Sequence, residues 1–108
     1  MTTDLALEYI PRRMRELGYG DQYLLRFAHL VLQPNEVRSI DGSDQFFILV
    51  EEPVNIRVES DMGIFDMNAS NTNEMIYEHQ GQITVTNQFE IPNSVRFIQV
   101  IPKNDKKD

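Results

Sequence analysis

The feature that most constrains the fold is a two-residue alternation of apolar and polar side chains across residues 22–101. In residues 54–59, for example, every second side chain is valine or isoleucine and the others are polar. A period of two is the repeat of a β-strand whose two faces meet different surroundings. Turn residues interrupt the pattern about every ten residues, as in small all-β domains. We expect eight strands, over residues 23–32, 36–40, 45–50, 54–59, 64–67, 74–79, 82–87 and 95–101.

This spacing predicts an all-β fold, a two-sheet antiparallel β-sandwich of which the jelly roll is one form. A small barrel is the alternative. The 108 residues allow one domain with one core. Residues 22–102 are assigned to the β domain and residues 103–108 to a disordered polar tail. The side chains expected in the core are Phe47, Leu49, Val54, Ile56, Val58, Val85, Phe97 and Ile101.

Residues 1–21 follow a different pattern and are predicted to form an N-terminal arm with a short helix. Pro11 suits the first position of a helix and Gly18 its end, which gives one or two turns. A helix this short is marginal alone in water, so its apolar side chains need a surface. That surface is either the chain's own β body or a neighbouring subunit. The residues predicted to bind a partner are Tyr9, Ile10, Arg12, Arg13, Met14, Arg15, Leu17 and Tyr19.

The charge of the chain argues against nucleic acid and membranes as partners. Net charge is −7, and residues 22–101 alone hold eleven acids, four arginines and no lysine. Such an acidic body repels phosphates and anionic lipids, so we expect no direct nucleic-acid binding and no membrane attachment. No apolar run reaches the ~18 residues of a membrane span, and the first residues lack a secretory signal. We therefore expect synthesis in the cytoplasm.

No set of residues in the sequence points to catalysis. The chain has no cysteine, which excludes disulfides, thiolate metal sites and cysteine nucleophiles. His29 and His79 could bind a metal only if the fold brought them together with a carboxylate; local hydrogen bonds are the simpler expectation. Glu59, Asp61 and Asp66 flank a glycine turn but lack the spacing of a calcium loop. We predict no cofactor, no metal and no enzyme activity.

Six stretches together cover nearly the whole chain: ALEYIPRRMRELGYG at 6–20, LRFAHLVLQPNEVRSI at 25–40, QFFILVEEP at 45–53, VESDMGIFD at 58–66, NEMIYEHQGQITVTN at 73–87 and VRFIQVIPK at 95–103. As a set they resemble small structural proteins encoded among the virion genes of tailed bacteriophages. Within that class the resemblance is to the capsid decoration proteins, also called auxiliary or cement proteins.

The resemblance implies a compact β domain on the outer capsid, tied to the shell by its arm. It implies location in the virion after synthesis in the host cytoplasm, and binding to the major capsid protein or to other virion proteins. A position in the neck or tail fits equally well, and assembly into a homo-oligomer is left open. The implied role is to bind and stabilise the capsid without catalysis.

Two other functions are compatible with the residues. A carbohydrate-binding β-sandwich would use the loop at residues 68–73 or an exposed sheet face, and would need Tyr77 and a second ring on one solvated face. A small jelly-roll enzyme would need His29, His79 and a carboxylate around one metal. The position of these side chains in the fold distinguishes the three functions.

Overall fold

The computed structural model describes residues 1–51, 53–68 and 75–103. Most of the loop predicted at 68–73, and the tail predicted at 103–108 beyond its first residue, lie outside the described residues. The elements are α1 (Thr3–Glu16), β1 (Tyr23–Leu32), β2 (Val37–Val50), β3 (Ile56–Ser60), β4 (Gly63–Asp66), β5 (Glu78–Asn87) and β6 (Asn93–Pro102).

The strands form one antiparallel sheet in the order β1-β6-β2-β5-β3-β4, which confirms the prediction of an all-β fold. β1 and β4 are its edges. β1 pairs with β6 over all ten of its residues without a register shift. The opposite edge, β4, has only four residues. The long, regular edge of the sheet is therefore β1.

Two of the predicted turns are bends within longer strands. Residues 36–40 and 45–50 belong to the single strand β2, and β5 likewise runs through the expected break at Gly81. Gly42 of β2 lies opposite Gly81 of β5, and the β2–β5 register shifts between Gly42 and Phe47. A Cβ at Gly42 would lie 2.9 Å from the Ile83 side chain and 3.0 Å from the Gly81 carbonyl oxygen. The paired glycines let both strands bend together, so the pairing continues where the sequence indicates a turn.

The larger core lies on the concave face of a strongly curled sheet. Leu32 at one edge of the sheet and Phe65 at the other belong to the same buried cluster. Asn87 of β5 is completely buried, and its side-chain amide donates to the carbonyls of Leu32, Gln33 and Ile91 at 3.0–3.3 Å. Because two strands separate β1 from β5 in the sheet order, only a curled sheet allows these bonds.

The smaller core lies between α1 and the other face of the sheet. Ala6, Ile10 and Met14 of the helix are buried there. The sheet contributes the other buried side chains, Phe46, Ile48, Val50, Ile98 and Val100. Of the two surfaces that the sequence left open for the helix, the chain's own sheet is the one that it contacts.

The helix begins earlier than the sequence analysis predicts. Thr2 is its N-cap and accepts a hydrogen bond from the Leu5 N–H, and Pro11 lies inside the helix rather than at its start. The prediction failed because Thr2 is also an N-cap residue type, and a packed apolar face stabilises a helix that contains an internal proline.

Six of the eight predicted core residues are buried, and two are not. Val54 is 58% exposed and Ile101 is only partly buried. Val54 precedes β3 in a turn whose next residue, Asn55, has a positive φ of 62°. The backbone therefore leaves the strand geometry that the alternation assumes, and the valine points away from the core.

Candidate interaction surface

The edge strand β1 exposes large apolar side chains. Phe27 is 67% exposed, Leu24 53%, Val31 50% and Leu25 42%. Isolated exposed apolar residues are common, but Leu25, Phe27 and Val31 are all at odd positions and so form a strip on one face of this edge strand, while Leu24 lies on the other face. The strip of Leu25, Phe27 and Val31 is called the β1 surface.

The side chains at odd positions of β1 lie on the same face of the sheet as α1. Leu25 is opposite Val100, and Phe27 is opposite Ile98. Directly opposed residues in a sheet point to the same side, and both of those β6 side chains pack under the helix. The helix covers β2 and β6 but leaves Leu25 and Phe27 beyond its flank.

Leu7 of α1 extends this apolar area. It precedes Tyr9 by two residues and therefore points about 160° away from it around the helix. Since Tyr9 contacts Glu78 on the β5 side, Leu7 lies on the flank towards β6 and β1. It is also exposed.

The backbone of β1 has a free side. The Lys103 N–H donates to the Gln22 carbonyl, so even-numbered positions of β1 form their hydrogen bonds with β6 and odd-numbered positions point outward. Within the described chain, the outward N–H and C=O groups have hydrogen-bond partners only near the two ends of β1. The Tyr23 N–H donates to Asp21, and Arg38 donates to the Val31 carbonyl at 3.2 Å. Between those points the outward N–H and C=O groups are unpaired in the described residues.

A groove of about 300 Å³ separates the start of α1 from the β1–β6 edge. Thr3 and Phe27 line it, together with His29, Glu51 and Arg96. His29 and Arg96 are opposite each other on the two strands, and both are exposed. The groove thus adds polar groups beside the apolar strip, the usual composition of a protein contact and its rim.

The charge along this edge is opposite to that of the whole chain. Residues 22–35 contain no acid, while Arg26 and His29 are both on β1. In a chain of net charge −7, this is an acid-free edge. The distribution favours contact with another protein surface here, because β1 itself carries no carboxylate; of the acids beside it, Glu36 is ion-paired with Arg38 and Glu51 lines the groove.

Two of the predicted partner-binding residues are not available to a partner. Ile10 and Met14 are almost completely buried beneath the chain's own helix. Leu17 and Tyr19 are partly buried and pack against the same cluster. Of the apolar residues in that prediction, none forms an exposed strip comparable to the β1 surface.

Tyr9 and Arg13 hold Glu78 in a buried clamp. The Tyr9 hydroxyl donates to the Glu78 carboxylate at 2.5 Å, and Arg13 donates to both of its oxygens at 3.0 and 3.2 Å. Burial, then the hydrogen bond to Glu78 and its charge, raise the pKa of Tyr9 to about 12. The bond to Glu78 is also the main reason that the pKa of Arg13 is raised. The clamp fixes the helix to β5.

Arg12 and Arg15 are the exposed members of the predicted arginine cluster. They lie on the solvent side of α1, while Arg13 is occupied by Glu78. A partner could therefore reach two of the three arginines. Whether any of these arm residues binds a partner stays a prediction.

His79 and Ser60 form a buried hydrogen-bonded pair. Nδ1 of His79 lies 2.7 Å from the Ser60 hydroxyl oxygen, and Nε2 lies 2.8 Å from the Ile76 carbonyl. The carbonyl can only accept, so Nε2 carries the proton and Ser60 donates to Nδ1. Burial lowers the pKa of His79. A serine and a histidine this close resemble part of a hydrolase triad, but here the histidine is completely buried.

The residues considered for metals are not brought together. His29 is on the helix side of β1 and His79 is in β5, with two strands between them in the sheet. Asp66 and Glu59 share Arg57, which donates to them at 3.0 and 2.9 Å. Across the described ranges, no group of three or more histidine, aspartate or glutamate residues is placed to hold a metal ion.

Tyr77 lies against the core rather than on an open face. Its ring packs on the buried Phe65 with 5.4 Å between centroids, and the residue is partly buried. Aromatic pairs of this kind stabilise a core. The ring that a carbohydrate platform would need is therefore engaged within the fold.

Comparison with protein families, with curated proteins and with solved structures found no match. None of the described helices is long and apolar enough to cross a membrane.

Proposed function

We propose that this chain is a non-catalytic structural protein that binds and stabilises a larger protein assembly, and that the assembly is a phage virion. The observation that carries the proposal is the β1 surface. Leu25, Phe27 and Val31 are large, apolar and exposed on an edge strand whose outward backbone groups are unpaired in the described chain. Complete burial of a fully exposed side chain of this size contributes about 1.5–3 kcal/mol, and these side chains, 42–67% exposed, would contribute a proportionate part of that. An edge of this kind is a template for contact with another chain.

The proposed partner is the major capsid protein or another virion protein. Its contact area should combine apolar side chains with carboxylates, because Arg26 and His29 are on the strand and Arg96 lies beside it. The exposed Arg12 and Arg15 of α1 offer a second place for acidic groups. A location in the shell, neck or tail is compatible with these features.

The curled sheet supports the proposal by giving the β1 surface a rigid base. The paired bend at Gly42 and Gly81 divides β2 and β5 into two halves, and both halves of β2 contribute side chains to the larger core: Ile40 before the bend, Phe47 and Leu49 after it. We treat this curled sheet as a jelly-roll-like β-sandwich in which β2 and β5 take part in both layers. Such a body would hold the β1 surface rigid, so little ordering entropy is lost on binding.

The test uses empty shells assembled from the major capsid protein encoded in the same genome. The full chain should cosediment with these shells, and Phe27→Asp should abolish cosedimentation without unfolding the chain. Met62→Asp is the control, because Met62 is an exposed apolar residue in the turn between β3 and β4. Failure of the full chain to bind shells, necks or tails of that phage would overturn the proposal.

A further inference from the structure

We propose that β1 pairs with β1 of a second copy of this chain, antiparallel and around a two-fold axis at Ala28, so that the two sheets become one. The inference rests on the proposed function in one respect: it takes the assembly that covers the β1 surface to begin with a second copy, and it leaves the exposed Arg12 and Arg15 of α1 for the virion protein. Four observations lead to a second copy: the positions of the free backbone groups, the match of the side chains, the separation of like charges, and the size of the edge.

The free backbone groups define the register. The outward positions whose N–H is unpaired in the described chain are Leu25, Phe27, His29 and Val31. Their centre is Ala28. In an antiparallel pair centred there, residue 25 faces residue 31 of the copy and residue 27 faces residue 29. Each of these outward positions then lies opposite another outward position of the copy. The Val31 carbonyl already accepts a hydrogen bond from Arg38, and its second lone pair can accept one from the copy.

The same register matches the side chains. Leu25 faces Val31 of the copy, and both side chains are exposed. Phe27 faces a histidine ring, another favourable cross-strand pair. An axis perpendicular to the sheet keeps both helices on the same side, so the flanks that carry Leu7 face each other as well.

The register also keeps like charges apart. Arg26 faces Leu30 of the copy, and the two Arg26 side chains are four residue steps apart along the strands, about 13 Å. That distance exceeds the Debye length of about 8 Å at physiological salt. The carboxylates that give each chain its charge of −7 are absent from residues 22–35. The strand itself therefore adds no carboxylate to the contact, and Glu36 beside it is ion-paired with Arg38.

The edge is large enough for a stable contact. A ten-residue strand is about 33 Å long, and a helix layer on a sheet is about 20 Å high. These dimensions give about 650 Å² for each copy, close to the roughly 800 Å² per partner of a standard interface. The regular pairing of β1 with β6 over ten residues supplies a straight template along this whole length.

The first measurement is the mass of the full chain by analytical ultracentrifugation up to about 1 mM, a concentration at which weak dimers are detected. We expect a species of twice the 12.6 kDa chain mass. Phe27→Asp should remain monomeric, and Met62→Asp should dimerise like the unmodified chain. A monomer at every concentration would overturn the inference. If that monomer still binds shells, the proposed function stands; if the dimer forms but binds no particle, the function fails and the inference stands.

The second measurement tests the register, and the absence of native cysteine makes single-cysteine variants unambiguous. In Ala28→Cys the two thiols would face each other with Cα atoms about 4.5 Å apart, within disulfide range. In Leu24→Cys they would be about 27 Å apart along the strands, although Leu24 is the more exposed residue. We expect Ala28→Cys to form a covalent dimer at least tenfold faster under mild oxidation. Equal rates, or faster linkage through Leu24→Cys, would contradict the two-fold axis at Ala28.

Discussion

Tyr9 on α1 and Glu78 on β5 are 69 positions apart in the sequence and are joined by a 2.5 Å hydrogen bond that the phenol donates to the carboxylate. Arg13 completes the clamp on the same carboxylate. Below the clamp, Ile10 and Met14 fill the space between helix and sheet. The N-terminal segment of this chain is therefore part of the packed body, and it leaves β1 as the open edge.

The first prediction concerns the packing of α1. Ile10→Ala should lower the free energy of unfolding by about 2–5 kcal/mol, because it opens a cavity in the smaller core. Leu7→Ala is the control and should change it by less than about 0.5 kcal/mol, since Leu7 is exposed. Urea titration followed by circular dichroism measures both. A loss below about 1 kcal/mol for Ile10→Ala would mean that the helix is not part of the core.

The second prediction concerns alkaline pH. Because the pKa of Tyr9 is raised from 10.0 to about 12, the unfolded chain loses this proton before the folded chain does. The stability that Tyr9 contributes is complete below pH 10 and is lost as pH rises from 10 to 12. The difference in unfolding free energy between the native chain and Tyr9→Phe should therefore shrink across that range. The shrinkage should be smaller in a Glu78→Gln background, where burial still raises the pKa of Tyr9 but the bond to a charged carboxylate is gone. A constant difference in the native background would contradict the clamp.

The third prediction concerns mildly acidic pH. Burial lowers the pKa of His79 from 6.5. As pH falls below 6.5, this histidine is therefore protonated in the unfolded chain before it is protonated in the folded chain. Unfolding free energy should fall as pH decreases from 7 to 5.5, with a slope of at most about 1.4 kcal/mol per pH unit for one proton. His79→Gln should flatten this slope, whereas His29→Gln should keep it. An unchanged slope in His79→Gln would show that another group titrates.

The fourth prediction concerns the bend of β5. Gly81 has a φ of 76°, and an added Cβ would collide with the Asp61 carboxylate. Gly81→Ala should therefore cost about 1–2 kcal/mol, mainly from the positive φ, with a smaller part for moving the exposed Asp61 side chain aside. Gly20 also has a positive φ, but a Cβ added there would meet nothing within 4 Å beyond its chain neighbours, so Gly20→Ala should cost only about 1 kcal/mol. Equal losses in thermal denaturation would remove the steric part of this explanation.

Much of the fold follows from the sequence, because alternation reports burial of one face. The strand predicted at 23–32 has those bounds in the structure, and Phe97 and Val58 are buried as expected. The two bends at Gly42 and Gly81 could not be told from turns. A glycine allows both outcomes, and only the strand opposite decides between them.

The candidate surface was harder to predict for a physical reason. The run YLLRFAHLVL has apolar residues at both its odd and its even positions, a pattern typical of a strand buried on both faces. Its position at the edge of the sheet depends on long-range pairing with β6, which no local pattern reports. Arg26 and His29 on opposite faces were the one local signal that neither face is fully enclosed. Conversely, the arm residues Ile10 and Met14 were candidates for binding because the sequence could not assign their surface.

The central claim is that the outward side of β1 is free in the isolated chain and covered in its assembly. Amide hydrogen exchange at single-residue resolution tests it directly. In dilute solution, the outward amides of Leu25, Phe27 and His29 should exchange rapidly, while the inward amides of Arg26 and Ala28 are protected by β6. On assembly, whether as a dimer or on a capsid, the outward amides should become protected as well. Outward amides that are already protected in the dilute monomer, or that stay unprotected after assembly, would contradict the account.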